Sequence, residues 1–354
     1  MPPSTTKPAT KPPSTPKGVP KPRPRMVIYL PHPLPIWRLP QGALERVRKA
    51  AGRQYEVDVP RDERELEQVL PETEILYAWG LTGRLVPLAA RLRWLHTPLS
   101  GVDRVLNPEL LKASIRVTSS RGVNSVAVAE HTFGMVLALT RGIAQAARAQ
   151  ADRRWIQGDL YGRTPPLAEL HGKVLGLYGF GEIGREIATR AHAFGMKVWA
   201  VSRSATSKTR PPHGVDRLLP AKRAEAMVRA SDVLVLALPL TESTRGIAGE
   251  RLLRSMKPTS ILVNIGRGAL VQEPALSRAM REGWIAGAAL DVFVHEPLPG
   301  ESPLWNLPNV LLTPHVAGTH PDYMARSAGI FLENLKRYGA GRPLRNEVNL
   351  AAGY

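Results

Sequence analysis

Cysteine is absent from the 354 residues. That removes disulfides, thiolate nucleophiles and cysteine-ligated metals from consideration. It fits a reducing cytoplasm, the compartment expected here. Long apolar runs are missing too. No stretch approaches the ~18 residues of a membrane-spanning helix, and no apolar core of a secretory leader precedes the first strand. Acids are in deficit: 30 Asp and Glu face 48 Lys and Arg, a net charge of +18. Such an excess raises nucleic acid as a partner, but its distribution argues otherwise. Six cations (Lys7, Lys11, Lys17, Lys21, Arg23 and Arg25) lie in the first 25 residues, which hold no acid. The rest are mostly arginines scattered beside glutamates, without a basic stripe interleaved with aromatics. A solvated face is the better reading, and neither nucleic acid nor membrane is expected as a partner. No metal is expected either.

Residues 1–25 are Pro, Lys, Ser and Thr and cannot bury apolar area, so a disordered basic tail is expected. "MVIYL" (26–30) then starts an α/β alternation that runs to about 120, with a helix expected around "LVPLAARL". Alternation of this kind implies a parallel sheet with crossover helices. From Asn124 a long helix, "NSVAVAEHTFGMVLALTRGIAQAARAQ", is expected, capped by Asn124 or Ser125 and apolar nearly all round. A polar loop (152–170) precedes a second unit with six strands, "KVLGLYG", "KVWAVS", "DVLVLALP", "SILVNIG", "IAGAALDV" and "NVLLTPH". Six such strands suit a doubly wound nucleotide-binding domain. A last helix, about 321–338, is expected to return to the first unit. The fold class is therefore α/β in two domains: 26–123 with 319–354, and an inserted Rossmann domain over 124–318.

"GFGEIG" places Gly179, Gly181 and Gly184 between a strand and a helix, with Phe180, Glu182 and Ile183 interleaved. The spacing predicts a dinucleotide pyrophosphate site: a tight turn, close backbone approach, and close helix–strand packing beside free N–H groups. An acid for the ribose 2′-hydroxyl is expected about 20 residues on. Instead "VWAVSRS" gives Ser202, Arg203 and Ser204, and no acid occurs before Asp216. Arg203, with two hydroxyls beside it and Lys208 and Arg210 nearby, suits a 2′-phosphate. NADP(H) is therefore favoured, with NAD(H) the alternative if Arg203 is only a solvated loop residue.

Three polar residues end later strands or their loops: Arg267, Glu296 and His315. Ligands gather beyond the carboxyl ends of such strands. An imidazolium can give a carbonyl oxygen its proton, a carboxylate can fix the ring, and a guanidinium fork can hold a carboxylate or carbonyl. Gly266 and Gly268 flank Arg267 and allow close approach. Singly, each also fits a structural role, and spacing does not show that they converge.

"SGVD", "VAVAEHTFGMVLAL", "GFGEIG", "LPLTESTRGI", "NIGRGALV", "GAALDVFVHEPLP" and "PNVLLTPHVAG" occur in order from about residue 95. In this the chain resembles the D-isomer-specific 2-hydroxyacid dehydrogenase family. The resemblance implies a flavodoxin-like substrate domain and a homodimer formed through the helix after Asn124. It implies Arg267 as substrate ligand, Glu296 as partner of the histidine and His315 as acid/base. It also implies carboxylate binding near Ser100, Gly101 and Val102. Leu238, Pro239, Thr244, Ile265, Gly266, Asp291, His315 and Gly318 are implied on the cofactor side. "SRS" resembles the family's NADPH-preferring glyoxylate and hydroxypyruvate reductases, so a small 2-oxo acid is the expected substrate. Alternatives are an NAD-dependent phosphoglycerate-type enzyme and a dinucleotide-sensing corepressor-like protein. Residues 26–94 match little.

Overall fold

Apolar strand segments alternating with amphipathic helices build two parallel sheets in the computed structural model, which describes residues 23–206, 208–350 and 353. The first sheet contains β1 (Arg25–Tyr29), β2 (Glu56–Asp58), β3 (Thr73–Ala78), β4 (Trp94–Thr97) and β5 (Arg116–Ser119). Its order, β2-β1-β3-β4-β5, is that of a flavodoxin-like sheet. The second contains β6 (Val174–Tyr178), β7 (Lys197–Ser202), β8 (Arg217–Pro220), β9 (Val233–Leu236), β10 (Ile261–Asn264), β11 (Gly287–Leu290) and β12 (Val310–Leu312). Its order, β12-β11-β10-β9-β6-β7-β8, reverses direction between β6 and β9, as a Rossmann sheet does.

β3 and β4 are buried almost throughout, which explains their near-continuous apolar sequence. Trp94 and Tyr77 both stack on Phe331, with centroids 5.1 and 4.7 Å away. Phe331 lies on the last helix, Tyr323–Gly339, so that helix does return to the first sheet. The chain after it stays there. Val348 N donates to Val117 O, and Arg116 grips Glu347 through two 2.8 Å hydrogen bonds.

Several expectations need correction. Residues 1–22 of the expected tail lie outside the described residues. Arg25, grouped with that tail by composition, opens β1 and pairs with Asp58 at 3.2 Å. "LVPLAARL" forms only a single 3-10 turn, Val86–Leu88. Pro87 has no N–H to give a helical ladder, and Leu88, Ala89 and Leu92 each bond back three residues instead. The long helix is two, Ser125–Thr140 and Ile143–Ala151, broken where Gly142 takes φ +71°. Asn124 occupies the cap position without a side-chain capping bond, and Ser125 Oγ donates to Gly122 O. The 152–170 loop contains a short helix, Gln157–Tyr161. β8 is a seventh strand; as a half-exposed edge it carries no apolar alternation. Among the described residues no helix is long and apolar enough to cross a membrane.

Candidate active site

The carboxyl ends of both sheets face one cavity of about 640 Å³. Sequence-selected residues on its wall are Ser100, Gly101, Val102, Ile183, Leu238, Pro239, Ile265, Gly266, Arg267, Asp291, His315 and Gly318. The structure thus brings Arg267 and His315 together, with Glu296 bound to His315.

The three glycines of the turn after β6 have distinct reasons to be glycine. Gly179 takes φ +104°, and a Cβ there would lie 2.4 Å from Ala237 O. A Cβ on Gly184 would lie 2.8 Å from Gly179 O, so helix and turn are in close contact. Gly181, at the cap of Glu182–Ala193, faces open space. An anion can reach the backbone there, at the positive end of the helix dipole. These residues fit a dinucleotide pyrophosphate. Phe180 packs under Arg185, 5.0 Å from its ring. At the end of β7, Ser202 and Ser204 hydroxyls are 3.1 Å apart, and Arg203, Lys208 and Arg210 are exposed beside them. Asp216 is not a displaced ribose acid: its carboxylate accepts from Val198 N at 2.7 Å. Thr244 is not on the cavity wall. It closes the turn after β9, donating to Pro239 O and accepting from Thr241 N.

His315 Nδ1 donates to Glu296 Oε2 at 2.8 Å. Arg104 donates to that same oxygen at 3.1 Å, and Phe293 N to the other. Burial opposes the Glu296 charge, but His315, the Phe293 amide and Arg104 together hold the carboxyl below its ordinary range. Nδ1 being engaged, Nε2 is the ring atom left for a ligand.

Arg267 is held more tightly than its sequence position suggests. Nε and Nη2 both donate to Asp103, Nη2 at 2.7 Å, and Nη1 donates to Gly266 O at 2.8 Å. Five N–H groups less these three leave one on each terminal nitrogen for a ligand. Burial would raise the Asp103 pKa, but hydrogen bonds and charge from Arg267 outweigh it and keep the carboxyl ionised below its usual range. A Cβ on Gly101 would fall 1.9 Å from Arg267 Nη2, so the guanidinium lies directly on that backbone.

Asp291, 2% exposed, accepts from Thr313 Oγ1 and from the amides of Val316 and Ala317. It thereby holds the loop on which His315 sits at φ +53°. His131 Nε2 lies 2.9 Å from Thr313 Oγ1; since that hydroxyl donates to Asp291, the imidazole is the donor. Sequence reasoning missed Asp103, Arg104, His131 and Thr313. Asp103 stood in plain view inside "SGVD", but its partner is 164 residues away.

Residues 133–317 match the model of the D-isomer specific 2-hydroxyacid dehydrogenase NAD-binding domain. A glyoxylate reductase of Aeropyrum pernix is 38% identical over 284 residues, covering 78% of this chain and 83% of that protein. A D-isomer specific 2-hydroxyacid dehydrogenase of Xanthobacter autotrophicus Py2, solved with NADPH and MES, superposes with TM-score 0.78 at 27% identity. That match covers 93% of this chain and 99% of the other. An NADPH-dependent glyoxylate/hydroxypyruvate reductase of Sinorhizobium meliloti, solved with NADP and sulfate, gives 0.74 at 27% identity, covering 94% and 100%.

Gly101→Ala should displace the Arg267 guanidinium. A misplacement of about 1 Å is worth about 100-fold in rate, and a loss of that order in kcat/KM is expected. Unchanged kinetics would remove Gly101 from the site. Arg104→Ala should act on pH dependence. The Glu296 carboxyl is depressed, so its ionised form persists as pH falls below the ordinary 4.5. Loss of Arg104 raises it, and the acid limb of the kcat/KM profile moves to higher pH. A limb that stays put or moves down contradicts the pairing.

Proposed function

This chain belongs to the D-isomer specific 2-hydroxyacid dehydrogenase family, and we propose that its cleft reduces a small 2-oxo acid to the D-2-hydroxy acid, with NADPH the favoured reductant. The glyoxylate and hydroxypyruvate reductases among its relatives support the 2-oxo acid class, with both of those acids as substrates. The observation that carries the reading is that His315, paired with Glu296, lines one cavity with Arg267. A nicotinamide dinucleotide held at the turn after β6 would supply the hydride for the carbonyl carbon. Arg267 offers its two remaining N–H groups to the anionic end of the substrate, beside the Ser100–Val102 backbone. His315 donates its Nε2 proton to the carbonyl oxygen as that oxygen gains charge, while Glu296 keeps the ring oriented. In the reverse direction the same nitrogen takes the hydroxyl proton.

Two further readings belong to the proposal. Ser202, Arg203 and Ser204 receive a 2′-phosphate, since a carboxylate that would repel it is missing and a cation stands in its place. A homodimer uses the helix Ser125–Thr140 and the arm after it. Val126, Glu130 and Gly134 are exposed along one line of that helix. Beyond it Ile143, Trp155 and Tyr161 are 54, 89 and 75% exposed, an apolar arm suited to a second copy.

His315→Ala should lower kcat by about 100- to 10,000-fold, the usual worth of acid/base catalysis, while NADPH fluorescence titration still shows binding. Near-normal turnover sinks the assignment. Wild-type protein should prefer NADPH over NADH by about tenfold in kcat/KM, the lower end for a charge-assisted contact at an open site. Ser202→Asp with Arg203→Ala should reverse that order. Equal use of both cofactors by the wild type would defeat the phosphate reading and leave the reductase reading standing.

A further inference from the structure

Part of the cavity wall is aromatic. His32, Trp37, Trp79 and Tyr323 line it. The rings support one another: Trp37 meets Tyr323 edge-on at 5.1 Å and Trp79 at 6.4 Å, and His32 lies 5.7 Å from Trp79. All four come from strand-end loops or the last helix of the first domain. His32 and Trp37 follow β1, and Trp79 follows β3 directly.

The wall is preformed. "PHPLPIW" is folded back by Arg38, whose Nε and Nη2 each donate at 2.8 Å, to His32 O and Pro33 O. His32 Nδ1 accepts from Leu34 N, and Trp37 N bonds Leu34 O at 3.1 Å. Tyr323 turns its hydroxyl to Pro98 O, 3.0 Å away, and offers the cavity its ring. Trp79 Nε1 is buried and makes no hydrogen bond among the described residues.

From this we infer that the four rings are the side-chain subsite of the reductase, and that they select 2-oxo acids carrying a bulky apolar or aromatic substituent. The inference rests on the reductase reading above. Anchoring the carboxylate and carbonyl at Arg267 and His315 leaves the substituent on C2 as the part free to meet the rings that line the same cavity. Glyoxylate has only hydrogen there and leaves the rings uncovered. The hydroxymethyl of hydroxypyruvate would place a hydroxyl beside ring faces. A branched or phenyl substituent covers those faces, removes apolar area from water and gains ring–ring contact. Aromatic side chains in a rigid, Arg-buttressed loop give this at little ordering cost.

The test uses the full chain with NADPH, followed by cofactor absorbance, against glyoxylate, 4-methyl-2-oxopentanoate and phenylpyruvate. The two larger acids should exceed glyoxylate in kcat/KM by at least about tenfold, the low end of what one methylene-sized contact gives in an apolar pocket. Trp79→Ala and, separately, Trp37→Leu should each lower the phenylpyruvate-to-glyoxylate ratio about tenfold, with NADPH binding confirming the fold. Glyoxylate turned over as well as phenylpyruvate by the wild type overturns the inference and leaves the reductase reading intact. So does a ratio that neither variant moves. Reduction of none of the three acids overturns the reductase reading as well. If a variant loses NADPH binding, the wild-type ranking and the other variant decide.

Discussion

A buried carboxylate organises the His315 end of the cleft. Asp291 leaves β11 with almost no exposure, and a charge there must be met by donors. It is met by the Thr313 hydroxyl and the amides of Val316 and Ala317, all on the loop after β12. Those bonds fix the backbone on both sides of His315, whose φ of +53° is a conformation that non-glycine residues adopt at a cost of about 1–3 kcal/mol. The surrounding hydrogen bonds offset that cost and aim the ring at Glu296. His131, reaching in from the buried helix, completes the set through Thr313. The backbone of His315 therefore takes its conformation from Rossmann-side elements.

The first domain acts on this centre through two adjacent residues. Asp103 binds Arg267 and Arg104 binds Glu296, so one loop reaches both charged partners of the reaction across the cleft. Each partner is thereby held in one geometry before any ligand arrives, which is what catalysis by positioning requires. The two contacts differ in character. Asp103 and Arg267 are both partly covered and meet through three hydrogen bonds, whereas Arg104 is 72% exposed and its single contact is open to screening by salt.

What the sequence disclosed follows the division between backbone and side-chain chemistry. The pyrophosphate turn was legible because its glycines answer to the backbone: positive φ at Gly179, close packing at Gly184, open approach at Gly181. Arg267, Glu296 and His315 were legible as residue types at strand ends. Their convergence was not, since nothing local records a contact between loops after different strands. The break at Gly142 was missed because the apolar pattern continues through it, and β8 because an exposed edge strand needs no alternation. Three of the four rings of the aromatic wall, His32, Trp37 and Trp79, lie in the region with least resemblance to the family. The wall's four residues are scattered from 32 to 323 and share only a cavity.

The acid deficit, a general property of the chain, becomes specific in the cleft. Every carboxylate there is already engaged: Asp103 by Arg267, Glu296 by His315 and Arg104, Asp291 by amides and a hydroxyl. Among the described residues, neither Asp103 nor Asp291 on the cavity wall is without a donor. The cations are not all matched in the same way, because Arg267 keeps two N–H groups beyond those bound to Asp103 and Gly266. A 2-oxo acid and a nicotinamide dinucleotide are both anions, and the carboxylates of Asp103, Asp291 and Glu296 are met by donors in advance. With the acids silenced, discrimination among anions passes to shape and apolar contact, which places it on the ring-lined wall of the first domain.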